Sequence, residues 1–267
     1  MTSETTQTEQ AAEETEKDTD TEILRELISN ARVVLWDFDG PICRLFAGHS
    51  AAHVADELTE WLEGRGLRGL LTEAERESLD PHVVLRAVDR RRPGSDLAVE
   101  LEERLTQEEL QAAESAMPTA YADILIQTWT AVGVRLAIAT NNSARAVQKY
   151  LASRRLVECF GQHIYGRTQD LHLLKPDPDT LNRALEATRT PPSAALFIGD
   201  TPSDVEAARK AGVAFVGYAR NERKAELLKA AGAEHVVGSL GPLLAVVRGR
   251  ALEDAERVVA GIPRESR

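Results

Sequence analysis

Apolar residues along the chain follow two rhythms. Short apolar runs at 32–37, 134–139, 195–198 and 213–216, with weaker ones near 163–165 and at 235–237, have the length of strands. Between them, apolar positions recur three and four residues apart. The first such stretch, 21–30, has Ile23, Leu24, Leu27 and Ile28 on one face. Tyr121, Ile124, Leu125, Thr128, Trp129 and Val132 mark a stronger amphipathic helix. Further helices are expected at 143–154, 178–187, 202–211, near 222–231 and at 240–247. Strands that alternate with helices of this length predict a parallel sheet covered on both faces. The fold class is therefore α/β, a Rossmann-like, doubly wound core.

Residues 45–117 break the alternation. They show helical spacing only: Val54, Leu58, Trp61 and Leu62 within 50–64, a helix start at Asp80-Pro81, and Leu97, Leu101 and Leu105 four apart. The pattern divides the chain into an α/β core (21–44 and 118–250), an inserted all-α unit (45–117) and a C-terminal helix or tail (251–267). Residues 1–22 hold eight acids and one lysine, −7 of the net −11, so the rest of the chain carries only −4. With almost no large apolar residues, 1–20 is expected to be a disordered, solubilising tail.

The remaining charge forms no basic stripe, which argues against nucleic acid. No run approaches the ~18 apolar residues of a membrane span, and no charged start precedes an apolar segment, so neither a membrane nor a secretory route is expected. Cys43 and Cys159 make neither a disulfide framework nor a metal pattern. A reduced, cytoplasmic setting is the default. Oligomeric state is not legible.

Chemistry gathers where strands end, which is where ligands bind in such sheets. The first run ends in Asp37-Phe38-Asp39-Gly40; side chains alternate along a strand, so both carboxylates face one way. The second ends in Thr140-Asn141-Asn142-Ser143, and the fourth in Gly199-Asp200, with Asp204 four residues on. Lys175-Pro176 precedes the 178–187 helix. Each has a plain structural reading. Thr201 to Asp204 fits a capping box, Asn142 or Ser143 a helix cap, and Asp177-Pro178 a helix start. Together they put several carboxylates, a hydroxyl and one lysine at a single sheet edge. Two carboxylates ~4 Å apart repel by roughly 4 kcal/mol at an effective dielectric near 20, about three pKa units. Either one is protonated or a cation lies among them. An oxygen-only set fits magnesium, with Thr140 and Lys175 as phosphate donors.

These four stretches, in this order, resemble the motifs of the haloacid dehalogenase-like hydrolases, mostly phosphatases that pass through an aspartyl phosphate. The resemblance covers about 30–240, with the helical insertion where that family has its small (C1-type) cap. It implies a Mg²⁺-dependent phosphatase of a small phosphorylated metabolite. Asp37 would be the nucleophile, and Asp39 the group that protonates the leaving alkoxide and then activates water. Thr140 and Lys175 would hold phosphate, with Asn141 and the cap's Arg86 as further substrate contacts. Asp37, the Asp39 backbone carbonyl, Asp200 and Asp204 would serve the metal. Pro41 departs from the family's usual threonine after the glycine. The second aspartate favours ester hydrolysis over dehalogenation, since a halide leaves without a proton. The lack of lysine in 45–117 argues against the phosphonate-cleaving branch. A sugar-phosphate mutase and a catalytically weak phosphate-binding or regulatory protein stand as alternatives. In the insertion, Arg86 and Arg90 could meet a second anionic group or simply face Glu100, Glu102 and Glu103. His49 and His53, four apart, fit a helix surface.

Overall fold

The computed structural model describes residues 21–259; the acidic tail and the last eight residues lie outside them. A helix over 21–30 (α1) leads into a six-stranded parallel sheet, ordered β5-β4-β1-β6-β7-β8. Its strands are β1 (Val33–Trp36), β4 (Arg135–Ser143), β5 (Ile164–Arg167), β6 (Ala195–Gly199), β7 (Ala214–Tyr218) and β8 (Val236–Val237). β1 lies in the middle, with Val33 aligned to Arg135 on one side and Ala195 on the other. That position explains its unbroken apolar sequence, because both faces are covered. Val34 and Trp36 face the layer that holds Leu125, Trp129 and Tyr150; Val33 and Leu35 face Leu181 and Phe197. Trp36 meets Trp129 edge to face at 5.6 Å.

Helices α6 (Ala122–Ala131), α7 (Ala144–Arg154), α8 (Val157–Phe160), α9 (Asp179–Thr188), α10 (Pro202–Ala211), α11 (Glu222–Ala230) and α12 (Gly241–Val259) alternate with these strands. The final helix runs beyond the predicted 240–247.

Between Arg44 and Met117 the described elements are helical: α2 (Ala51–Gly64), the single turn α3 (Glu73–Arg76), α4 (Pro81–Arg91) and α5 (Asp96–Ser115), with one short 3₁₀ turn. Ser50, Thr72, Asp80 and Ser95 cap the four starts. Val54, Leu58, Val84, Leu85, Leu101 and Leu105 form a separate core there, against which Leu171 and Leu174 pack from the sheet side. A two-stranded antiparallel ribbon, β2 (Cys43–Arg44) with β3 (Met117–Pro118), joins the insertion to the sheet. Strands of two residues have no periodicity to read, so the ribbon is invisible in sequence. α5 is twice the length of its leucine-spaced stretch. Its second half buries Thr106, Glu109, Ala112 and Ala113 against the sheet layer rather than in the insertion's core.

Candidate active site

The site grows from β1. Asp37 follows the last strand residue, and its amide donates to Ile198 O at 2.8 Å, which pins the carboxylate at the β1/β6 edge. Lys175 Nζ lies 2.8 Å from Asp37 Oδ1, 2.5 Å from Asp204 Oδ1 and 3.2 Å from Ala139 O. Burial opposes a charged lysine, but Asp204 and Asp37 outweigh it, so the pKa is raised and the ammonium persists. Burial raises the Asp37 carboxyl, with Lys175 pulling against it.

Asp39 accepts from Leu45 N at 2.8 Å. Burial, opposed by that bond, moves its pKa to about 6, close to neutrality and suited to giving and taking a proton. Gly40 then turns the chain at φ +118°, and a methyl there would overlap the Asp200 carboxyl, so both conformation and space require glycine. The turn closes through Gly40 N to Cys43 O and through Ile42 N and Cys43 N to Phe38 O. None of these bonds needs a donor from residue 41, so Pro41 fits without loss. Thr119 Oγ1 binds Gly40 O at 2.6 Å.

β4 carries Thr140 to the same edge. Its hydroxyl donates to Asn142 Oδ1 at 3.0 Å and accepts from Asn142 N at 3.2 Å. Asn141 behaves differently from its neighbour. Its Oδ1 accepts from Lys175 N at 2.7 Å and its Nδ2 donates to Lys175 O at 3.3 Å. The amide is thus committed to holding the lysine loop in place. Arg86 reaches the same loop from the insertion, Nη2 to Lys175 O at 2.8 Å, and its buried Nε has no partner. Arg90 lies away from the site, pairing with Glu75 at 2.6 Å. His49, just before α2, pairs with Glu108 of α5, and His53 pairs with Glu57 along α2.

β6 and α10 supply the other two aspartates. Asp204 closes the capping box that its sequence suggested, and it also serves the site. Oδ2 accepts from Asp200 N, Thr201 N and Thr201 Oγ1, while Oδ1 takes Lys175. Gly199 has no room for a side chain because Asp204 lies against it. Asp200 Oδ2 pairs with Lys224 of α11, whereas its Oδ1 is buried without a partner. Burial lifts the Asp200 carboxyl to about 8, against Lys224 and with help from Asp37 and Asp204.

Carboxylate oxygens of Asp37, Asp200 and Asp204 all lie within 4.8 Å of one another. An orphaned buried oxygen, hard donors and a glycine wall suit a small divalent cation. Of the three, Asp204 already has both oxygens engaged, which makes Asp37 and Asp200 the freer ligands.

Sequence reasoning missed two features beside this cluster. Arg167 of β5 and Glu109 of α5 form a fully buried, two-pronged pair at 2.9 and 3.0 Å. Glu109 also accepts from Asn142 Nδ2 at 3.0 Å and Ser143 N at 2.8 Å, and so fixes the chain after Thr140. His82 Nε2 lies 3.1 Å from Asn141 O. Lys224 is the other omission. A single charge within a helix gives no sequence signal, although the tip of β7 could have been read as another strand end.

Residues 88–218 match the family model of the haloacid dehalogenase-like hydrolases. A phosphoglycolate phosphatase of Pseudomonas savastanoi pv. phaseolicola is 41% identical over 85 residues, 32% of this chain and 30% of that protein. One from Pseudomonas putida is 34% identical over 112 residues, 42% and 40% of the two chains. The chain spans about half the length of the first relatives it matches, 52%. Among solved structures, CbbY from Rhodobacter sphaeroides with bound phosphate superposes with a TM-score of 0.57 at 20% identity, over 82% of this chain and 99% of that one. A hydrolase from Deinococcus radiodurans with phosphate and sodium gives 0.52 at 24% identity, over 84% and 96%. These likenesses establish the fold. Residues 88–218, which carry Thr140, Lys175, Asp200 and Asp204, match the haloacid dehalogenase-like hydrolases, and the fold of the chain agrees with that match.

Proposed function

We propose that the protein is a magnesium-dependent phosphatase of small phosphate esters that works through an acyl phosphate on Asp37. One observation carries the reading most: Lys175 holds Asp37 at 2.8 Å while Asp200 keeps a buried oxygen without a partner beside it. Asp37, the Asp39 carbonyl and Asp200 would hold the metal, which supplies charge neutralisation for the transferring group. Asp37 Oδ bonds to phosphorus as the ester P–O bond breaks, and Asp39 gives its proton to the departing alkoxide oxygen. Asp39 then takes a proton from the water whose oxygen attacks the same phosphorus, releasing phosphate and restoring Asp37. Lys175 offsets charge on Asp37, and Thr140 with Lys175 binds the equatorial oxygens. Asp204 holds Lys175, and Asn141 and Arg86 hold the Lys175 loop. The helical insertion covers this edge as a cap.

Small-ester chemistry agrees with the phosphoglycolate phosphatases among the relatives. Two free cysteines fit a reducing, cytoplasmic setting; among the described residues no helix is long and apolar enough to cross a membrane. Turnover of p-nitrophenyl phosphate should require Mg²⁺. Asp37→Asn should lower it by roughly 10⁴-fold or more, the scale on which loss of a covalent nucleophile is read. Full activity in excess chelator, or in Asp37→Asn, would refute the proposal. A sugar phosphate converted to its isomer with little phosphate released would identify a mutase built on the same aspartates.

A further inference from the structure

The cleft between insertion and sheet has two lobes that meet at Asp39, Phe46, Ala51 and Leu79. The smaller, about 450 Å³, contains Asp37, Thr140 and Lys175, and is the lobe for the transferred phosphate. The larger, about 910 Å³, runs the other way from Asp39, past Asp200 to the tip of β7. It exceeds what a phosphate needs, and its wall is cationic: Arg44 from the β2 ribbon, Arg220 after β7 and Lys224 from α11. All three line the same lobe together with Tyr218. Lys224 is held by Asp200. Arg44 has only the weak sulfur acceptor of Met117, at 2.9 Å. Among the described residues no carboxylate pairs with Arg44 or Arg220, whereas Lys224 beside them is held by Asp200. Two guanidiniums with no carboxylate paired to either line one cavity, an arrangement that an anion relieves.

The position of the lobe gives the anion its meaning. Asp39 is the proton donor to the leaving oxygen, and it stands at the junction. Whatever is attached to that oxygen must therefore extend from the phosphate lobe across Asp39 into the larger one. We propose that Arg44 and Arg220, with Lys224 once it is free of Asp200, form a subsite for a second anionic group on the alcohol half of the substrate, a carboxylate or a further phosphate. This rests on the phosphatase reading above and narrows its substrates to esters whose leaving group is itself an anion. Of the insertion's arginines, Arg90 and Arg91 are paired with Glu75, and Arg86 lines the smaller lobe, bound to the Lys175 carbonyl.

The test compares esters of similar size on the full chain with Mg²⁺: 2-phosphoglycolate and inorganic pyrophosphate, whose leaving groups are anionic, against ethyl phosphate, whose leaving group is neutral. The wild type should favour one of the anionic pair over ethyl phosphate by at least about tenfold in kcat/KM, the scale of one charged hydrogen bond. Preference for phosphoglycolate makes the second group a carboxylate, and preference for pyrophosphate makes it a phosphate. The preference ratio should drop by about tenfold in Arg44→Gln or Arg220→Gln and approach unity in the double variant. A second readout separates this idea from the phosphatase reading. In Asp37→Asn, which cannot form the acyl phosphate, the preferred anionic ester should raise Tm more than ethyl phosphate does. The added Arg44→Gln/Arg220→Gln pair should erase that excess. Equal treatment of anionic and neutral esters by the wild type, or a ratio untouched in the double variant whose melting curve is native-like, overturns the subsite. A selective Tm shift without turnover keeps the subsite and refutes the phosphatase.

Discussion

Two clusters of buried charge lie side by side at the C-terminal edge of the sheet, and they are built on opposite terms. Around Arg167 the charges balance. Its guanidinium binds both Glu109 oxygens, Glu102 Oε1, Thr106 Oγ1 and the Asn141 carbonyl, while Glu109 also meets His82, Asn142 and Ser143. Burial works against every charge there and loses: Glu109 falls to about 2 and His82 rises to about 9. Around Asp37 the balance fails. Three carboxylates share Lys175 and Lys224, one Asp200 oxygen has no partner, and burial wins, with Asp39 near 6 and Asp200 near 8. A satisfied cluster moves its groups toward the charged form and serves structure. An unsatisfied one moves its carboxyls toward the neutral form and awaits ligands.

The largest test of that contrast is mutational and should give opposite signs. Glu109→Gln removes the two-pronged partner of buried Arg167, leaving Glu102 at 2.9 Å as its one carboxylate, and should cost ~3 kcal/mol in a urea denaturation of the metal-free protein. Asp200→Asn removes a charge that burial already disfavours, and Lys224 can turn to solvent. It should leave metal-free stability unchanged or raise it by about 1 kcal/mol while abolishing Mg²⁺ binding. If both variants lose several kcal/mol, the second cluster is as structural as the first and the distinction collapses.

The contrast also shows what sequence can carry. Asp37, Asp39, Thr140, Lys175, Asp200 and Asp204 stand at strand ends or before a helix, where apolar periodicity stops, so both their positions and their convergence were legible. Asp204 shows that two readings can both hold, since the carboxylate that caps α10 also grips Lys175. Arg167 and Glu109 were not legible. They are 58 residues apart, and their partnership exists only because α5 continues past its leucine stretch and lays Glu109 against the end of β5. Asn141 was read as a substrate contact from its place after Thr140, but which way an amide turns depends on Lys175, which lies 34 residues on. The 910 Å³ lobe depends on a loop after β7 and a two-residue strand, neither of which has periodicity.

A smaller effect follows from pH and metal together. The Asp200 carboxyl, near 8 when folded and near 3.8 when unfolded, binds more protons in the native state across that interval. The metal-free protein should therefore lose stability as pH rises from about 4 to 8, by up to ~1.4 kcal/mol per pH unit from this group. Divalent cation at 100 times its Kd adds ~2.7 kcal/mol to the native state. Because the cation binds the ionised form, it should flatten the slope. Denaturation midpoints measured from pH 4.5 to 8 with chelator and with excess Mg²⁺ give both quantities; parallel curves would show that the metal does not engage Asp200.

The smallest effect isolates the satisfied cluster. His82 lies between Asp80, 3.2 Å from Nδ1, and the Asn141 carbonyl, 3.1 Å from Nε2, with Glu109 at 3.6 Å and Arg167 Nη1 at 3.4 Å. Burial opposes its positive charge, and the two carboxylates favour it, leaving the folded pKa near 9 against 6.5 unfolded. Its contribution is fully present below pH 6.5 and fades as pH rises through 9. Glu109 behaves the other way, present above 4.5 and lost as pH falls through about 2. The cluster should thus hold α4 against the end of β4 at constant strength between roughly pH 4.5 and 6.5, loosen as pH rises through 9, and loosen on the acid side only as pH falls toward 2. His82→Asn keeps a donor for the Asn141 carbonyl but not the charge. It should cost about 1–2 kcal/mol at pH 6 and nothing at pH 10, a difference that closes through pH 9. A loss that stays constant to pH 10 would mean that His82 contributes packing, not charge.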